Sequence, residues 1–312
     1  MSRKGRRSGA KRSRTPWVIL SLVIVLAVVA YFIFTQSGID AACPSCGQPA
    51  SPLVLSQLAG VSANTLNAVG GGPSNPTKPI TGTPLTFNGK PEVLYMGAEY
   101  CPFCAGERWS MIVALDKFGN FTGLEYTASQ SSDQLPNTPT FTFRNANYTS
   151  SYISFVSVEQ SDRNRAPLQT ATADQTALLN QYDSGGSIPF IDIGNAYVVV
   201  GSQFPPAVLR PGQNPTAAPY NWTQIAAQLD NSSSVIAQNV DGTANRLISA
   251  ICKIDGDKPS IVCSQTFAQV LSYVRNSPSG GSKLMISDVV SSGTAPTAVA
   301  GRFAPNRYVA HV

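Results

Sequence analysis

The chain has 312 residues, 43% of them hydrophobic and 12% charged, with a net charge of +5. That balance excludes a disordered chain and fits a globular one with an uncharged polar surface. Seven of the 22 Lys and Arg precede residue 15, which leaves 15 against 17 Asp and Glu, so the remainder lacks the basic excess of a nucleic-acid-binding face.

Residues 1–16 form a basic tail that contains Arg3, Lys4, Arg6, Arg7, Lys11, Arg12 and Arg14. Residues 17–34 carry no charge, and at 1.5 Å per residue this run spans about 27 Å, close to the hydrocarbon core of a bilayer. Trp17 and Tyr31 suit its two interfaces. The basic tail places the N-terminus in the cytoplasm and everything after Phe34 outside. A cleaved signal peptide is the alternative, but the run exceeds a usual signal core and no small-x-small site follows at once. The expectation is a single-pass protein of the cell membrane with its bulk extracytoplasmic.

Residues 35–84 read as a tether with little regular structure. Gly70-Gly71-Gly72-Pro73 and the prolines up to Pro84 mark loop, and the apolar spacing over 53–66 allows one short helix. The compact domain is expected over 85–230. Within it, Glu92 to Ala98 reads as a buried strand and Ala105 to Phe118 as a helix with Trp109, Ile112, Val113 and Leu115 inward. Leu124 to Ala128, Thr140 to Arg144 and Tyr152 to Glu159 read as further strands, and Ala171 to Tyr182 as a helix. Phe190 to Ile193 and Ala196 to Val200 flank Gly194-Asn195, a hairpin signal. Trp222 to Leu229 and Ala244 to Ile251 read as helices. Residues 231–312 are expected to form a C-terminal helical extension with a flexible tail. Alternating strands and helices of this kind predict an α/β domain with a mixed central sheet. Asn120, Asn147, Asn221 and Asn231 head N-glycosylation sequons, informative only where the host glycosylates.

Six cysteines fall in the extracytoplasmic part: Cys43, Cys46, Cys101, Cys104, Cys252 and Cys263. An oxidising compartment lets disulfides persist. The single histidine, His311, excludes a multi-histidine metal site and disfavours Ser-His or Cys-His catalysis. Cys101-Pro102-Phe103-Cys104 stands where a strand ends and a helix begins. Free backbone N–H groups and the helix dipole at that end favour a thiolate, the species that attacks a disulfide. Pro102 is tolerated there because its missing N–H has no partner to lose. Cys104, within the first turn, is placed to resolve a mixed disulfide. Glu99 and Glu107 flank the motif, and their negative charge opposes that thiolate.

Two-residue spacing also suits zinc, and Cys43-Pro44-Ser45-Cys46 looks like a zinc knuckle, so a metal-binding or metal-delivery protein is the alternative. A non-catalytic binding module is a third reading. Cys43 and Cys46 are read either as a second redox pair or as a local disulfide in the tether. The ten residues between Cys252 and Cys263 suit a structural disulfide.

Met96-Gly97-Ala98-Glu99-Tyr100-Cys101-Pro102-Phe103-Cys104 resembles the active-site strand and turn of the thioredoxin superfamily. The stretch GAEYCPFCAGERW resembles a membrane-anchored family known as domain of unknown function 929, over about Leu85 to Leu229. The resemblance implies a thioredoxin-like fold with an inserted segment around 129–151. It also implies a thiol–disulfide oxidoreductase with Cys101 as nucleophile and Cys104 as resolver, and no cofactor. Its partners would be thiols or disulfides of exported proteins and a membrane redox partner. A cis-proline opposite the cysteines is implied too. Pro189 is preferred to Pro139 for it, because strand, Gly194 turn, strand and Gly201 follow Pro189 in the family's order. Ile188 would then offer its backbone to a bound substrate strand, beside Tyr100, Pro102 and Phe103. Many thioredoxins bury an acid under the resolving cysteine. Here the equivalent strand is apolar, with Glu92 only at its start, and the direction of electron flow is not set by the motif.

Overall fold

In the computed structural model, residues 23–28 and 43–271 are described. Of the run expected to cross a membrane, only 23–28 are among these, and they are helical; the rest of it, like the basic tail and the C-terminal tail, lies outside the described residues. Among the described residues no helix is long and apolar enough to span a bilayer.

The centre of the fold is β3 (Lys90–Gly97), six of whose eight residues are buried. It pairs in parallel with β8 (Ser154–Glu159), with Glu92 opposite Ser154 and Gly97 opposite Glu159. On its other side it pairs antiparallel with β9 (Phe190–Ile193), which pairs antiparallel with β10 (Tyr197–Val200). β1 (Lys78–Pro79) joins the outer edge of β10, and β2 (Thr86–Phe87) folds back on the start of β3. The sheet is therefore mixed, in the order β8-β3-β9-β10-β1, as the sequence pattern predicts.

Alternation along β3 assigns its two faces. Val93 and Tyr95 point into the larger core, while Leu94 and Met96 meet Leu179 of the helix Ala173–Tyr182 on the opposite face. The larger core is built on the helix Pro102–Leu115, every residue of which is buried, rather than on an inward stripe alone. Helix Val235–Ile254 packs along it through Val240, Ala244, Leu247, Ile248 and Ile251. In chain order the α-helices within residues 43–271 are α1 (Pro52–Ala59), α2 (Ala63–Val69), α3 (Pro102–Leu115), α4 (Ala173–Tyr182), α5 (Trp222–Leu229), α6 (Val235–Ile254) and α7 (Ser260–Cys263).

Two expectations about boundaries change. Residues 52–69 are two helices, not an unstructured tether, and Val54, Leu58, Val61 and Leu66 belong to the main core. Each helix has its own start signal: Ser51 caps α1 before Pro52, and Ser62 caps α2 by accepting from the Thr65 N–H. The glycines and prolines that follow mark the connection after these helices. At the other end, α6 is no separate extension but one wall of the same core. Gly242 lets this wall come close, since an added Cβ would sit 2.8 Å from the Gly72 Cα. Asn245 of α6 donates to the carbonyls of Leu66 and Gly70, tying the end of α2 to this wall.

The segment expected as an insertion forms small ladders outside the central sheet. β5 (Glu125–Ala128) pairs with β6 (Pro139–Thr142), and β4 (Gly119–Thr122) pairs with β7 (Asn147–Ser150). Cys252 near the end of α6 is bonded to Cys263 of α7 across 11 residues. Replacing both by alanine should lower the unfolding free energy by about 2–3 kcal/mol, from the longer loop freed in the unfolded chain. A denaturant titration of the double variant measures this.

Candidate active site

The parallel strands β3 and β8 end side by side at Gly97 and Glu159, and the chain leaves β3 directly into α3. Ligand crevices of open α/β sheets lie at such carboxyl ends. Cys101 is the N-cap of α3, with extended backbone (φ −79°, ψ 120°), and its Sγ accepts the Cys104 N–H at 3.3 Å. Pro102 takes the first helical position, where no N–H is needed. Both thiols are free, and both are fully buried. Ala98, Tyr100, Phe103 and Ile188 enclose them in a small cluster of their own.

The Ile188–Pro189 peptide bond is cis, and the Ile188 carbonyl oxygen lies 3.9 Å from Cys101 Sγ, within reach of a weak S–H donor. Pro139, the competing position, sits in β6, where its carbonyl accepts the Trp109 indole N–H at 2.8 Å. Tyr100 is held on its other face by Arg165, whose guanidinium carbon stands 3.9 Å from the ring centroid. Ala98, Tyr100 and Ile188 also form part of the wall of a cleft of about 390 Å³, together with Gln160, Ser161 and Gln169. None of the residues lining this cleft carries a charge.

Four charged side chains near the motif are buried. Glu107 is fully buried, accepts from the Gln203 N–H at 3.0 Å, and is raised by desolvation to about 7. Glu99 is also raised, mainly by burial. Both are buried carboxyls whose charged form burial disfavours, which weakens the opposition to the thiolate expected from their place in the sequence. Arg108 and Glu159 are the other two, and sequence reading missed them. Arg108 Nε and Nη2 donate to the two Glu159 carboxylate oxygens at 2.9 and 2.6 Å, with both side chains fully buried. Tyr95 lies against this pair, its ring 5.6 Å from the guanidinium carbon. Gly97 makes room for it, since a Cβ there would meet the Tyr95 hydroxyl at 2.1 Å. Burial pushes the Cys104 thiol up, the adjacent Cys101 adds to this, and the Arg108 charge opposes both.

Cys43 and Cys46 are each disulfide-bonded, as are Cys252 and Cys263. Among the described residues no group of three or more His, Cys, Asp and Glu is arranged to hold a metal ion.

Fold and site together define a mixed α/β protein with a reduced Cys-X-X-Cys pair capping a buried helix. The chain belongs to the family described as Domain of unknown function (DUF929), whose model matches residues 77–253. That match begins at β1 and ends within α6, wider at both ends than the 85–229 stretch carried by the motif. No curated protein and no solved structure matches the chain.

Proposed function

We propose that this protein is a membrane-anchored, extracytoplasmic thiol–disulfide oxidoreductase of thioredoxin-like fold. One observation carries the reading: two free cysteines share the first turn of a buried helix, the first as its N-cap, with the Ile188 carbonyl before a cis-proline facing it. The strand order β8-β3-β9-β10, with one parallel and two antiparallel neighbours, supports the thioredoxin-like part. The membrane anchor rests on the apolar run 17–34 and the basic residues before it.

In the forward step the Cys101 thiolate attacks a substrate disulfide; a bond forms to one sulfur and the other leaves as a thiolate. Cys104 then attacks Cys101 Sγ, closing the 101–104 disulfide and releasing the substrate sulfur. Run in reverse, the same pair donates its disulfide to substrate thiols. The exchange uses only the two sulfurs and the substrate. The metal-delivery alternative loses its second pair of thiolates, because Cys43 and Cys46 are disulfide-bonded.

Trapping tests this reading. A Cys104→Ser chain should accumulate a mixed disulfide through Cys101 with exported proteins, and a Cys101→Ser chain should accumulate none there. Failure of both the wild type and the Cys104→Ser chain to exchange with any disulfide sinks the proposal. The reduction potential of the 101–104 pair then gives the direction of electron flow.

A further inference from the structure

We propose that Arg108 is a positioning residue for the resolving thiol: its buried guanidinium supplies the positive charge that Cys104 sees, and Glu159 sets how much of that charge is left. The inference rests on the oxidoreductase reading for its purpose, but not for its test.

The geometry is specific. Arg108 follows Cys104 by one helical turn on α3, the spacing at which side chains stack on one face. Its guanidinium has no contact with water. Two of its nitrogens are committed to Glu159 of β8, whereas Nη1 is buried with no hydrogen-bond partner. Glu159 Oε1 also accepts the Phe143 N–H at 3.3 Å, which spreads the carboxylate's charge over a second donor. The remaining groups that face this cluster are Tyr95 from β3, whose buried hydroxyl has no hydrogen-bond partner, Glu99 after β3, and Cys101 itself. Among these, Arg108 is the cation. The group next to the resolving cysteine is thus a fixed positive charge, not a carboxyl that takes up a proton.

The step it serves is resolution. The Cys104 sulfur forms a bond to Cys101 Sγ, the bond from Cys101 to the substrate sulfur breaks, and the electron pair leaves on that sulfur. The proton that Cys104 sheds ends on the released substrate thiol. A nearby cation stabilises the Cys104 thiolate on the way, and acts without itself gaining or losing a proton.

The full-length Cys101→Ser chain isolates the effect, because Cys104 is then the one cysteine outside a disulfide. The pH dependence of Cys104 alkylation is measured in this background with Arg108, with Arg108→Gln, with Glu159→Gln, and with both substitutions. Glu159→Gln should move the titration to lower pH and Arg108→Gln to higher pH. Each shift should be about one pH unit, or about tenfold in thiolate fraction at a fixed pH between. Arg108→Lys should restore most of the wild-type profile. The double variant removes both charges at once and should fold even where one orphaned partner would not. Its titration should lie above that of wild type.

A merely structural ion pair would lower stability in each single variant and leave the Cys104 profile in place, and that result overturns the proposal. So do shifts in the same direction for the two single variants, or a double variant that matches wild type. Titrations that split as expected in a chain whose wild type exchanges with no disulfide would instead reject the oxidoreductase reading and leave the role of Arg108 standing.

Discussion

Replacing Trp109 by alanine should lower the unfolding free energy by about 3–5 kcal/mol, the cost of emptying a large aromatic site in a packed core. Its side chain is fully buried on α3, with its ring edge-to-face against Phe141 at 4.8 Å between centroids. Its indole N–H also satisfies the Pro139 carbonyl, which the alanine variant would leave unpaired in β6. Trp109→Phe keeps most of the packing and should cost about 1–2 kcal/mol, less than half of that loss and chiefly the hydrogen bond. Urea titrations of the three proteins rank these costs. Equal losses for Ala and Phe would mean that the hydrogen bond, not the packing, holds α3 to the ladder beneath it.

Changing Glu107 to glutamine should make the protein more stable at alkaline pH and nearly unchanged in acid. Burial raises this carboxyl from an ordinary 4.5 to about 7, so the folded state holds its proton where the unfolded chain has released it. The sign follows from linkage: stability is greatest below about 4.5 and declines as pH rises through the folded value near 7. A shift of this size corresponds to a loss on the order of 3 kcal/mol above that window. The amide oxygen of glutamine can still accept the Gln203 N–H, so the variant keeps that bond and sheds the cost of ionising in place. Melting temperatures of wild type and variant across about pH 5 to 8 test this. Asp116, also raised to about 7 by burial, should leave some slope in the variant. A variant slope as steep as that of wild type would remove Glu107 from the account.

What was legible in the sequence was local. The strand before Cys101, the helix after it and the hairpin after Pro189 each carry their own signal in apolar period, capping residues or a Gly194-Asn195 turn. The mixed sheet followed from their order. The Arg108–Glu159 pair was not legible, because the partners are 51 residues apart and a charged side chain on a helix ordinarily reads as a solvated face. The full length of α6 was hidden for a related reason. Asn239, Asp241, Thr243 and Asn245 interrupt its apolar pattern, yet all four are buried, and Asn245 bonds to α2 from across the core. Likewise, α1 and α2 are too short for periodicity alone to separate them from the loop that follows, and only their packing against α5 and α6 reveals them as core.

The enclosure of the two cysteines has a bearing on chemical survival. A thiolate open to solvent is exposed to peroxide and similar small oxidants, which carry it past the sulfenic acid to states that no thiol can reverse. With neither sulfur exposed, and Tyr100, Phe103 and Ile188 around them, such reagents meet the pair slowly. On the proposed oxidoreductase reading, a protein substrate would instead displace part of that wall with its own surface as it docks. Access is then granted by fit and denied to casual collision.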